Sequence, residues 1–183
     1  ALYKCIIENA EEFGIDKEKI GVAGDSAGAS IAALICNNYE QEDLKQPCIQ
    51  MLVYPVTDAD MRTDSMKKFT DTPLWNAKNN KRMWLYYCKD LKAEDTYDAS
   101  PMHCCFPPII PNTYIETAEY DCLHDEGILY GKRLREAGAD VTINETKGTF
   151  HGYDSALHTK IAIYNIKKRI LFLKKGFHGY PPA

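Results

Sequence analysis

Residues 20–35 read IGVAGDSAGASIAALI: a β-branched, apolar lead-in, then a serine set among glycines and small residues, then a run of Ala, Ile and Leu. A strand that turns sharply into a helix produces this pattern, because the turn crowds its neighbours and forces the residue at its apex into a strained backbone conformation. Ser26 stands at that apex, with Gly24, Asp25, Ala27 and Gly28 forming the rest of the elbow. The helix that follows aims its positive amino end at the serine. A glycine-rich turn with an ordinary capping serine is the plain alternative. The placement between strand and helix favours a nucleophile.

A serine hydroxyl becomes reactive only with a base, a group to orient that base, and donors for the developing oxyanion. In strand–elbow–helix architectures the partners follow in the order serine, acid, histidine. His151, in KGTFHGYD, lies a few residues beyond a β-rich stretch at 141–145 and is the candidate base. His103 and His124 precede that stretch, His158 falls on the last helix and His178 in the tail. The acid should follow the preceding strand, and Asp121 stands just past the end of TYIETA. Asp125 and Glu126 compete, but they stand where a helix begins and have a structural reason there, as caps for free amides. Glu116 and Glu119 lie in or at the end of the strand and are not expected to face the histidine loop.

Around this core the segments alternate. Helices are expected over residues 2–13, 26–39, 76–89, 125–137 and 155–174, and strands over 19–23, 49–54, 113–118 and 141–145. The helix at 76–89 presents Trp84, Leu85 and Cys88 as an apolar stripe, and the last one presents Ile161, Ile163, Ile166, Ile170 and Leu173. Strands alternating with helices of about ten residues or more imply right-handed crossovers and a mostly parallel sheet with helices on both faces. The fold class is α/β, in a single domain over 1–183 with an excursion at about 57–108. Leu74, Trp75 and Trp84 could line a pocket there, although an aromatic stripe at helical spacing is more often core.

Composition narrows the function. The 183 residues are 45% hydrophobic and 26% charged with net charge −4, so neither a nucleic-acid-binding stripe nor an acidic tail is present. No apolar run reaches the roughly 18 residues that span a bilayer. Seven cysteines, an odd number without a CxxC pair, read as reduced thiols of a soluble cytoplasmic protein. Cys104 and Cys105 beside His103 form the one cluster suggestive of metal, and one short segment closes a tetrahedron poorly, so no metal is expected. The sequence opens ALYKCIIENAEEFG, within a helical pattern and without Met, so the native chain is expected to begin earlier.

GDSAG at 24–28, YPVTDA at 54–59, YDASPM at 97–102, AEYDCLHDEG at 118–127, LREAGADV at 134–141 and FHGY at 150–153 together resemble the hormone-sensitive-lipase-like family of α/β-hydrolases, in its acetyl-esterase and carboxylesterase branch. The resemblance implies Ser26 as nucleophile, Asp121 as acid and His151 as base. It also implies cleavage of short-chain, acetyl-type carboxylic esters of small molecules without any cofactor. Ala29 stands where many members have another glycine.

Members also carry an HGGG-type segment upstream of the serine whose amides complete the oxyanion hole, and only 23 residues precede Gly24 here. The sequence therefore resembles the carboxyl-terminal part of such an enzyme, truncated at its amino terminus, with about four strands and one expected oxyanion donor, the Ala27 amide. The loss of one such donor typically costs about 10²–10³ in kcat. The chain alone is expected to be a weak enzyme, and the edge of its first strand is expected to be covered by self-association or a complementing chain. A non-catalytic binding protein, an inactive fragment or a peptidase/amidase on the same fold are the alternatives. Receptors resembling the family lose the histidine that is present here as His151.

Overall fold

The computed structural model describes residues 1–179. Its centre is a sheet of four strands: β1 (Val22–Asp25), β2 (Ile49–Val53), β3 (Asn112–Ala118) and β4 (Val141–Thr146). They lie side by side in sequence order and every pair is parallel. Parallel neighbours require crossovers, and the helices α2 (Ala27–Asn38) and α6 (His124–Glu136) provide two of them.

Strand alternation divides the side chains between two faces. Leu52 and Ile115 sit opposite one another in register and face α2 and α6, where they pack with Ala29, Ala32, Ala33, Tyr130, Leu134 and Val141. Met51, paired with Tyr114, and Val53, paired with Glu116, face the other way, toward α7 (Lys160–His178). Ala29 is fully buried in the first of these cores, so the absent glycine is filled by a methyl packed behind the elbow.

Several boundaries depart from the sequence reading. Asp16 caps a single 3₁₀ turn at Lys17–Lys19 by accepting from the Glu18 amide, so the first strand starts later than expected, at Val22, and runs to Asp25. The first helix, α1 (Leu2–Glu8), stops early. The last helix begins only at Lys160, where Thr159 caps it by accepting from the Ala162 amide; residues Tyr153–Ser155 form a separate 3₁₀ turn. His158 accordingly precedes α7, and His178 is its last residue rather than tail.

The apolar stripe of α7 is only partly buried, with Ile166 and Leu173 half-buried. Ile161, Ile163 and Ile170 are exposed, and the helix instead buries Ala162 and Asn165 and turns Arg169 inward. The cause lies on the sheet: the face beneath α7 carries Glu116 and Asn144, and polar groups there draw polar partners.

The excursion after β2 holds α3 (Asp64–Lys68), α4 (Ala77–Tyr87) and α5 (Ala93–Asp98). The two short helices α3 and α5 carried no clear sequence pattern. Val56, Met66 and Trp84 pack there against Cys122 and Leu123, next to the start of α6. Trp84 is core, whereas Leu85, expected on the same stripe, is exposed. No described helix is long and apolar enough to cross a membrane, and all seven cysteines are free thiols.

Candidate active site

Ser26 lies between the end of β1 and the first turn of α2, with φ 53° and ψ −121°. Left-handed φ is costly for a residue with a side chain, and such strain persists where the surroundings over-determine it. Here they do. The Ser26 amide donates to the Val53 carbonyl at 2.9 Å, and its carbonyl accepts from the amides of Ala29 and Ser30. A Cβ on Gly24 would lie 2.2 Å from the Gly28 carbonyl carbon, so only glycine lets the helix pass this close to the strand. Gly28 is under no such demand: a Cβ there would meet only Asp25 Oδ1, at 4.0 Å.

Although Ser26 occupies the N-cap position of α2, its side chain makes no capping bond. Its Oγ lies 3.0 Å from His151 Nε2. His151 Nδ1 is in turn 2.7 Å from Asp121 Oδ2. Asp121 is fully buried, and its other oxygen accepts from the Leu123 amide at 3.0 Å, which fixes the carboxylate plane. The structure thus brings together the three side chains singled out in the sequence, from loops 125 and 30 residues apart. Ala27 opens α2, and the amides of a first helical turn have no acceptor within their own helix.

The competing carboxylates have other work. Asp125 accepts from the Ser65 amide and meets His124 Nδ1 at 2.8 Å, and Glu126 is fully buried and accepts from the amides of Thr57 and Asp58. Neither caps its own helix as the sequence suggested. They tie α6 to the excursion instead. Burial drives the Glu126 pKa well above the ordinary carboxylate range, the two amides opposing this only in part.

Glu116 and Glu119, thought to be clear of the histidine loop, both touch it: Glu116 accepts from the Tyr153 hydroxyl at 2.7 Å, and Glu119 from the Gly148 amide at 2.7 Å. Neither contact could be read from strand position alone, since the loop folds back across the end of β3.

Two further residues border the histidine. The Tyr54 ring lies 4.5 Å from the His151 ring and the Trp75 ring 6.0 Å from it, centroid to centroid. Leu74, at φ 62° and largely exposed, stands beside Gly152. His103 sits apart from this site, 3.3 Å from Asp58 and 3.8 Å from Asp60, while Cys104 is buried and Cys105 is exposed. Those two carboxylates, not the cysteines, are its neighbours.

Comparisons with known proteins bear on the family and the fold. The sequence profile of the alpha/beta hydrolase fold family matches residues 1–155. The chain is 30% identical to an ethyl acetate hydrolase of Pseudomonas putida over 159 residues, which are 82% of this chain and 48% of the relative. It is 29% identical to the carboxylesterase NlhH of Mycobacterium tuberculosis, over 98% of this chain and 57% of that one. Among solved structures, a bacterial heroin esterase superposes with a TM-score of 0.88 at 32% identity, covering 96% of this chain and 57% of its own. Esterase LipW from Mycobacterium marinum gives a TM-score of 0.89 at 26% identity. The chain thus spans about half the length of the curated relatives it matches. Its fold, its elbow and its relatives place it in the α/β-hydrolases, and it belongs there to the hormone-sensitive-lipase-like carboxylesterase family.

Proposed function

We propose that this chain carries the catalytic triad of a serine carboxylesterase, with Ser26 as nucleophile, His151 as general base and acid, and Asp121 as the group that orients the histidine. The observation that carries the reading is the continuous relay from Asp121 Oδ2 through both nitrogens of His151 to Ser26 Oγ, at 2.7 and 3.0 Å. As Oγ attacks the ester carbonyl, Nε2 takes its proton, and the imidazolium is stabilised by the buried Asp121 carboxylate. The proton then passes to the leaving alcohol, an acyl-enzyme remains on Ser26, and a water activated by the same nitrogen releases the acid. The Ala27 amide, at the positive end of α2, serves as one oxyanion donor.

Small-molecule esters with short, acetyl-type acyl groups are the proposed substrates. An ethyl acetate hydrolase among the relatives supports that choice. The excursion at 57–108 acts as a cap over the site, since Leu74 and Trp75 reach the histidine loop from it. In a cytoplasmic setting the seven thiols stay reduced. β1 ends the sheet, and Leu2, Ile6, Val22, Ile31 and Ile35 line an open groove beside it. A second copy or a complementing segment covers that edge, because unpaired strand edges invite pairing.

Steady-state hydrolysis of p-nitrophenyl acetate, butyrate and octanoate beside p-nitroacetanilide tests the reading, on the natural full-length protein and on residues 1–183 alone. We expect ester cleavage that falls with acyl length, little anilide cleavage, and a short form at least about a hundredfold slower. Anilide turnover matching that of the esters would replace esterase with amidase, and absence of both from the folded full-length protein would overturn the enzyme reading.

A further inference from the structure

The loop that presents His151 is bonded within itself at Thr149 and Tyr153 and is also held by contacts from elsewhere in the fold. Gly148 and Gly152 bracket it at φ 71° and 72°, conformations that side chains rarely adopt, so the segment between β4 and the following turn is built from permissive backbone. Anchors outside the loop also bear on where the ring stands, the Asp121 carboxylate directly and others on the loop's carboxyl side.

On the carboxyl side of the histidine those anchors form one buried network on the α7 face of the sheet. Three residues past His151, the Asp154 carboxylate accepts from the Tyr54 hydroxyl at 2.8 Å and from Arg169 Nη1 at 2.6 Å. The same guanidinium grips Glu116 through both Nε and Nη2, while Glu116 also accepts from the hydroxyls of Tyr114 and Tyr153. Tyr153 is two residues past His151. One arginine from the last helix therefore connects the centre of β3 to the histidine loop.

Tyr54 closes the circuit. It follows β2 at φ 35°, in the left-handed region for a bulky aromatic, and its amide donates to the Glu116 carbonyl at 2.6 Å. That strained turn lays the ring against His151, at 4.5 Å and a 54° tilt. With the phenol fixed at its far end by Asp154, the ring forms a wall behind the imidazole, and Trp75 stands 6.0 Å from it. Burial alone would oppose charge on Asp154, but the bonds from Arg169 and Tyr54 outweigh it and keep its pKa below the ordinary range, so the link is ionic.

We propose that Asp154, Arg169 and Tyr54 are positioning residues for His151: the Arg169–Asp154 bridge and the Tyr54 ring it orients fix the imidazole within reach of both Ser26 and Asp121. The proposal rests on the reading of His151 as base. None of the three residues touches the reacting atoms. Each acts through the ring. Misplacing a catalytic group by about an ångström can cost on the order of a hundredfold in rate, so partial loosening should show in kcat.

Three variants of the full-length protein, Tyr54→Phe, Asp154→Asn and Asp154→Ala, test it through kcat and KM on p-nitrophenyl acetate. Melting temperature and the downfield proton NMR signal of the His151 ring N–H facing Asp121 are read alongside. Tyr54→Phe keeps the ring and loses one bond; Asp154→Asn keeps an acceptor for Tyr54 and loses the charge. Each should lower kcat roughly tenfold with KM within about twofold and shift or broaden the ring N–H signal; the melting temperature should stay near that of the parent in Tyr54→Phe and fall in Asp154→Asn, which loses the charge. Asp154→Ala should exceed Asp154→Asn. If Tyr54→Phe and Asp154→Asn keep both kcat and the ring N–H signal of the parent, the network is scaffold and the proposal falls. If the parent cleaves no ester yet its ring N–H signal still moves in both variants, the positioning stands and the esterase reading falls.

Discussion

The two faces of the sheet hold the two ends of the site by different means. Toward α2 and α6 the buried part of the sheet is uncharged: Leu52, Ile115, Tyr130 and Leu134 are buried there, and its buried polar side chains, Gln50, Thr113 and Thr117, carry no charge. That face fixes Ser26 by packing: the helix lies so close to the strand that Gly24 admits no Cβ. Toward α7 the same strands present Glu116 and Asn144, and Arg169, Asp154 and three tyrosines gather on them. That face fixes the surroundings of His151 by charge. Packing is short-ranged and insensitive to pH, whereas a buried ion pair depends on every partner being present and charged. Ser26 and His151, the proposed nucleophile and base, should therefore fail under different insults.

The largest expected effect removes the link between the two ends. Asp121→Asn keeps the shape of the carboxylate but offers His151 the wrong tautomer, so turnover of p-nitrophenyl acetate should fall by about 10⁴ while the melting temperature changes little. An effect under tenfold would mean that another group orients the histidine.

Next, the faces can be broken one at a time. Arg169→Met strands the Glu116 carboxylate, which is fully buried, and should cost about 3–5 kcal/mol in urea unfolding. Leu134→Ala opens a cavity on the other face and should cost about 2–5 kcal/mol. The contrast lies in a further pair of changes: Arg169→Met with Glu116→Gln should recover part of the loss, and no polar change should recover Leu134→Ala.

Acid sharpens the same contrast. Asp154 has a folded-state pKa below its unfolded one, so its contribution is complete above about 4 and is lost as pH falls through the folded value. Amide exchange in α7 should accelerate over that range before exchange in α2 does. Simultaneous acceleration in both helices would show that the faces are not independent.

The smallest effect comes from Glu126. Burial raises its pKa, so the folded state binds the proton more tightly, and stability is lost as pH rises from the unfolded value through the folded one. Glu126→Gln removes that titration. At neutral pH it should leave the unfolding free energy unchanged or raised, and it should flatten the pH dependence. A loss of several kcal/mol would mean that the charged carboxylate is what the Thr57 and Asp58 amides require.

The difference between the faces also explains what could be read in advance. The elbow was legible because its sterics are local: GDSAG states the turn, and the run from Ala29 to Ile35 states the helix. Asp121 and His151 followed from chain order. Three strands stood close to their expected bounds, while the first moved because Asp16 captures the Glu18 amide and starts a 3₁₀ turn at Lys17–Lys19. The α7 face was not legible. Five isoleucines and leucines at helical spacing pointed to an apolar contact, and nothing local reveals that Glu116, 53 residues upstream of Arg169, makes that contact polar. Tyr54 was hidden for the same reason, since its partner Asp154 lies 100 residues away.

The central claim is that Ser26 is a nucleophile activated by His151, and labelling with a fluorophosphonate probe, followed by peptide mapping, tests it most directly. In the full-length protein the adduct should map to Ser26, vanish in Ser26→Ala, and form far more slowly in His151→Ala at an unchanged melting temperature. An adduct on another residue, or none on Ser26 in a protein shown to be folded, would contradict the account.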